Sequence, residues 1–134
     1  MPKMKVLIVE DSEIIRQHLM ETLAAFTQVE VIGAVEHAAE AKECVRATKP
    51  DVLLLDIRLR SGSGIDVLEE IKNDPVRPVV IVITNFSIPQ YRMKCLEAGA
   101  DYFLDKSTEF ERVPHIFEEL IEQWGNHRAE EERR

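Results

Sequence analysis

Three short runs of Val, Ile and Leu, at Val6–Val9, Val52–Leu55 and Val79–Ile83, most tightly constrain what this chain can fold into. None shows the clean alternation of a strand with one wet face, so each reads as a strand covered on both sides, as in a parallel sheet. Val29–Val35 and Asp101–Leu104 are weaker runs, but both lie between helical segments and bring the expected count to five strands.

The segments between these runs carry the helical period. Ile14, Ile15, Leu19, Thr22, Leu23 and Phe26 place an apolar stripe on a helix from about Ser12 to Phe26. Ala38, Ala41, Cys44 and Val45 do the same for the second. Ile65, Leu68 and Ile71 mark the third, ended by Asn73-Asp74-Pro75, and Tyr91, Cys95 and Ala98 mark the fourth, ended by Gly99 as a left-handed cap. Val113, Phe117, Leu120, Ile121 and Trp124 line the fifth, with Pro114 expected in its first turn. Five strand–helix alternations with short joins and right-handed crossovers predict a doubly wound α/β domain, an open parallel sheet with helices on both faces.

With 134 residues, the chain has room for one domain, here 1–126, followed by a polar tail at 127–134 expected to fray. Its net charge of -8 opposes binding to a phosphate backbone, and the basic pairs Arg58/Arg60 and Arg133/Arg134 read as solvated charges. Cys44 and Cys95 lack metal-ligand spacing and read as reduced packing thiols. The apolar run after the amino terminus is too short for a signal core or a membrane span, so a cytoplasmic location is expected.

In doubly wound sheets, function gathers where the strands' carboxyl ends face the crevice. Those ends carry Glu10-Asp11, Asp56 and Thr84, and Lys106 follows the fifth strand by two residues. Three converging carboxylates repel one another and call for a hard divalent cation, with magnesium the natural candidate because it keeps positions open for phosphate oxygens. A lysine can pair with a carboxylate at rest and with a phosphoryl oxygen during transfer, a threonine hydroxyl can donate to another oxygen, and an aspartate can serve as the nucleophile. Taken singly, these residues have blander readings: Glu10-Asp11 as the cap of the first helix, Asp56–Lys106 as a structural pair, Thr84 as a strand-end residue, and Lys106 as a surface lysine.

The chain resembles the response-regulator receiver family from about Lys5 to Trp124. The resemblance rests on Val-Leu-Ile-Val-Glu-Asp at 6–11, Asp-Val-Leu-Leu-Leu-Asp at 51–56, Gly64, Ile-Thr-Asn at 83–85 and Gly-Ala-Asp-Tyr-Phe-Leu-Asp-Lys-Ser at 99–107. It implies a flavodoxin-like receiver fold and a phosphoacceptor switch rather than an enzyme, able to catalyse its own phosphorylation and dephosphorylation. It implies that Asp56 takes a phosphoryl group from a sensor histidine kinase or phosphotransfer protein. Asp11, Asp56 and the main-chain carbonyl of Arg58 would bind Mg2+, with Glu10 helping through water. Thr84 would move toward the phosphoryl group, Lys106 would pair with it, and Phe103 would be the switch aromatic, turning inward on activation.

Three positions depart from the commonest pattern of the family. Ser107 replaces a proline, Asn85 a small residue that would leave Asp56 more open, and Arg60 a proline, which predicts a more mobile and more basic loop after Asp56. Output could run through a docked protein partner or onward along a phosphorelay, from a monomer or weak dimer. Other readings are the receiver portion of a DNA-binding regulator and an aspartate-nucleophile phosphatase, although the latter needs a second aspartate where Arg58 stands. A flavin site would need phosphate donors where Glu10 and Asp11 stand.

Overall fold

The computed structural model describes residues 3–132, with side chains described to Gly125. Five strands, β1 (Met4–Val9), β2 (Val29–Val35), β3 (Val52–Leu55), β4 (Val79–Thr84) and β5 (Tyr102–Asp105), alternate with five helices: α1 (Glu13–Ala24), α2 (Ala38–Thr48), α3 (Gly64–Ile71), α4 (Pro89–Glu97) and α5 (Arg112–Glu132). All strand pairs are parallel, in the order β2-β1-β3-β4-β5. The winding reverses between β1 and β3, so the crevice opens between the ends of those two strands.

The unalternating apolar runs are explained by two cores. Leu7, Val9, Leu53, Leu55, Val80, Val82 and Phe103 face α2, α3 and α4. Their neighbours in sequence, Val6, Ile8, Val52, Leu54, Ile81, Ile83 and Leu104, face α1 and α5. β1, β3, β4 and β5 therefore have two buried faces, and their successive residues alternate between the cores rather than between core and water, while the edge strand β2 exposes Glu30 and Ala34.

Several local expectations need correction. Ile14 is 79% exposed, because adjacent residues stand about 100° apart on a helix and only Ile15 falls in line with the buried Leu19 and Leu23. Phe26 lies beyond the end of α1, though its ring still packs against Phe117 at 6.3 Å. Tyr91 does not enter the core: its ring meets Phe86 edge-on, at 6.3 Å and 80°. Gly99 has the expected left-handed φ of 104°, and Pro114 lies within the first turn of α5. The α5 backbone is helical through Glu132; Arg133 and Arg134 lie outside the described residues.

Candidate functional site

Glu10, Asp56 and Thr84 are the buried polar or charged residues among those described, at 2%, 6% and 0% exposure. Each extends a strand by one step or closes it. Glu10 N–H donates to the Val35 carbonyl at 2.9 Å, Asp56 N–H to the Val9 carbonyl at 3.0 Å, and Lys106 N–H to the Thr84 carbonyl at 3.0 Å. The ladder of the sheet thus continues into the site and fixes where these side chains start.

Two buried carboxylates side by side are tolerable only with a countercharge. Lys106 Nζ supplies it, 2.6 Å from Glu10 Oε1 and 2.8 Å from Asp56 Oδ2. Glu10 Oε2 also accepts from Ser12 N–H at 3.0 Å, while Asp56 Oδ1 has only a long contact, 3.4 Å, with Arg58 N–H. Asp11 is half-buried, and Glu10, Asp11 and Asp56 each bring one carboxylate oxygen within 4.8 Å of the others. Burial raises the pKa of Glu10, against the lowering effects of Lys106 and Ser12 and with help from the charge on Asp56. For Lys106, burial pulls the pKa down, but hydrogen bonds and charge from Asp56 and Glu10 outweigh it, and the net shift is upward. The ammonium is therefore kept at neutral pH.

The bland readings of these residues are partly right. Ser12 caps α1, its Oγ accepting from Ile15 N–H at 3.4 Å, and Glu10 braces that cap. Such a cap uses neither Asp11 nor Asp56, and Lys106, with a side chain only 9% exposed, is no surface lysine.

The remaining predicted residues surround this centre. Thr84 Oγ1 accepts from Phe86 N–H at 3.1 Å, so its hydroxyl oxygen is engaged with its own loop. Phe103 is 4% exposed and already stands inside, with the Arg92 guanidinium 5.7 Å from its ring centroid. Arg58 and Arg60 are exposed but not simply solvated. The Arg58 guanidinium lies 4.5 Å over the Phe86 ring, bridging the loops after β3 and β4.

Arg60 corrects the expectation of a mobile loop after Asp56. Its side chain pairs with Glu36 at 3.4 Å and its N–H donates to the Glu36 carbonyl at 3.2 Å. A parallel bridge from His37 to Ser61 adds a further tie. Asn85 is exposed, and every peptide bond among the described residues is trans, including that before Ser107.

Sequence reasoning missed Glu36 and Arg16. Arg16 donates to Glu36 Oε1 at 2.6 Å and to the Glu10 carbonyl at 3.0 Å, tying α1 to the ends of β1 and β2. That hydrogen bond from Arg16 chiefly lowers the Glu36 pKa. The strand-end rule that found Asp56 finds Glu36 too when applied to β2. Gly64 was singled out only as part of a motif. A Cβ at Gly64 would lie 2.1 Å from the Asp56 carbonyl oxygen, so the start of α3 approaches the backbone of Asp56 more closely than any side chain allows.

A doubly wound parallel sheet thus carries, at its switch point, a lysine-paired carboxylate cluster of the kind that could hold a hard cation. The chain belongs to the response-regulator receiver domain family, whose sequence pattern it matches over residues 6–118. It is 41% identical over 106 residues to protein-glutamate methylesterase/protein-glutamine glutaminase 2 of Vibrio vulnificus (strain YJ016), covering 75% of this chain and 30% of that protein. It is 30% identical over 122 residues to the sensory transduction protein LytT of Enterococcus faecalis (strain ATCC 700802 / V583), covering 91% of this chain and 50% of that protein. The chain thus spans half or less of these relatives. Among solved structures it resembles the response regulator domain of Thermotoga maritima CheB, with a TM-score of 0.77 and 27% identity, covering 90% of this chain and 95% of that chain.

The donor set fits a hard divalent cation. Three carboxylates face one lysine ammonium, and oxygen ligands around a residual double negative charge are what magnesium takes. No helix among the described residues is long and apolar enough to cross a membrane.

Proposed function

We propose that Asp56 accepts a phosphoryl group from a phosphohistidine of a sensor kinase or phosphotransfer protein in the cytoplasm, in a magnesium-dependent reaction. The observation that carries this reading is Lys106 Nζ held between Glu10 and Asp56 while Asp11 completes the acidic cluster. An Asp56 carboxylate oxygen attacks phosphorus, the phosphorus–nitrogen bond breaks, and its electron pair leaves on the imidazole, which takes up a proton. The product is an acyl phosphate on Asp56.

Asp11, Asp56 and the Arg58 carbonyl would hold Mg2+, with Glu10 acting through water, and the ion would neutralise charge on the transferred group. Lys106 stays protonated and pairs with a phosphoryl oxygen, while Thr84 leaves Phe86 N–H to donate to another. Phe103, buried against α4 with the Arg92 guanidinium over its ring, is the aromatic through which the change would reach α4. The relatives pair their receivers with different outputs, so the reading covers the phosphoacceptor step and leaves the recipient of the signal to a protein partner or relay.

Incubation with acetyl phosphate and magnesium should add the mass of one phosphoryl group to the intact chain, and Asp56→Asn should add none. Equal labelling of the variant would refute the assignment. The phosphatase alternative predicts instead repeated turnover of a phosphomonoester, for which Arg58 provides no general acid.

A further inference from the structure

Asp105, the last residue of β5, fastens together the two loops that carry Thr84 and Lys106. Its Oδ2 accepts a hydrogen bond from Ser87 Oγ, in the loop after β4. Its Oδ1 accepts from Ser107 N–H at 2.8 Å and Ser107 Oγ at 2.5 Å. The backbone is pinned as well: Asp105 N–H donates to Glu109 Oε1 at 3.1 Å, and Glu109 N–H to the Asp105 carbonyl at 2.8 Å. Asp105 is also the partner of Thr84 in the β4–β5 register.

The anchored end of this clamp is therefore β5 and the turn before α5, and the end that can move is Ser87. Thr84 lies three residues before Ser87, and its Oγ1 is occupied by Phe86 N–H between them. Because Thr84 Oγ1 accepts through a lone pair, its O–H stays free to donate, but moving the hydroxyl toward a phosphoryl oxygen either breaks the bond from Phe86 N–H or carries residues 85–87 along with it. Hydrogen bonds to an ionised carboxylate are among the stronger ones a loop can make, so Ser87 resists that shift. Hydrogen bonds from Ser107 and Ser87 hold the Asp105 pKa down at about 2, and the clamp is charged at any working pH.

We propose that Asp105, acting through Ser87, is a positioning residue that holds the loop after β4 in its resting arrangement and thereby restrains phosphorylation of Asp56. The inference rests on the phosphoacceptor reading for its effect on rate, but the clamp itself has an independent readout. Amide hydrogen exchange at Phe86 reports the bond to Thr84, with Leu54 in the central strand as an internal reference for global stability.

Loss of one such bond should shift the loop equilibrium by roughly two- to tenfold. Ser87→Ala should accelerate exchange at Phe86 by that factor without changing Leu54, and should raise the initial rate of labelling by acetyl phosphate similarly. Asp105→Asn, which keeps an acceptor and loses the charge, should fall between. Ser87→Thr retains the hydroxyl and should restore wild-type values in both measurements, which a mere packing role for Ser87 would not predict. Unchanged exchange at Phe86 in Ser87→Ala, or Ser87→Thr behaving like Ser87→Ala, would overturn the clamp. Faster exchange with an unchanged labelling rate would overturn its restraint on phosphorylation. Failure of the wild type to label would instead sink the phosphoacceptor reading, while the exchange comparison still decides the clamp.

Discussion

Gly64 has no functional group, yet it sets the position of Asp56. Its N–H donates to the Ile57 carbonyl at 2.7 Å, and a methyl group there would collide with the backbone of Asp56. Gly64→Ala should cost about 3 kcal/mol, the upper range for overpacking, because a backbone rather than a flexible side chain must give way. Denaturant unfolding measures the loss, and a cost below about 0.5 kcal/mol would contradict the packing. Lys106 makes a second residue-scale prediction. Replacing it with Met leaves Glu10 and Asp56 buried and unpaired, at a cost of about 3–5 kcal/mol at neutral pH.

The raised Lys106 pKa gives the pH dependence its sign. The folded state holds this proton more tightly than the unfolded chain, so the stabilisation is complete below the ordinary lysine value of 10.5 and is lost as pH rises through the higher folded value. Wild type should lose stability above that pH, and Lys106→Met should lack this alkaline loss. The five residues at the heart of the site were legible because each closes or follows an apolar run. The Arg58–Phe86 stack and the Ser87–Asp105 bond were not, because contacts between loops depend on backbone paths that no periodicity encodes.

At the scale of elements, the end of β1 and the first turn of α1 form one unit. Glu10 braces Ser12, Ser12 caps the helix, and Arg16 reaches back to the Glu10 carbonyl. Asp11 stands at this junction with its charge facing two other carboxylates. Asp11→Asn should stabilise the metal-free protein by about 1 kcal/mol through lost repulsion. Magnesium at a hundredfold excess over its dissociation constant should stabilise wild type by about 2.7 kcal/mol, and much of that gain should vanish in the variant. Thermal melts with and without magnesium test both signs; an equal magnesium gain in the two proteins would remove Asp11 from the cation site. The strands were legible to within a residue or two, and β2 and β3 had the expected limits. The helices were less so. Ile14 and Tyr91 are apolar at helical spacing yet lie outside the core, since spacing gives the face of a helix but not how far the sheet extends beneath it.

Over the whole molecule, the two cores on opposite faces of the sheet make the site a rigid rim with movable loops. Leu54 and Ile81 are packed on one face while Leu55 and Val82 are packed on the other, so the ends of β3 and β4 cannot shift without disturbing both. Change at the site is thereby directed into the loop after β4, since the loop after β5 is pinned by Asp105, Ser107 and Glu109. Cys95 belongs to this interior, and burial pushes its thiol up to about 11, consistent with its expected packing role. The fold class was readable because five apolar runs and five helical stripes alternate along the entire chain.

The central claim is that, of the three clustered carboxylates, Asp56 is the one that becomes phosphorylated. Hydroxylamine cleaves an acyl phosphate and leaves a hydroxamate on the carboxyl that carried it. Protein labelled by acetyl phosphate with magnesium, treated with hydroxylamine and mapped by peptide mass spectrometry, should carry the hydroxamate on Asp56. A hydroxamate on Glu10 or Asp11, or a phosphoryl group that survives hydroxylamine on another side chain, would contradict the account.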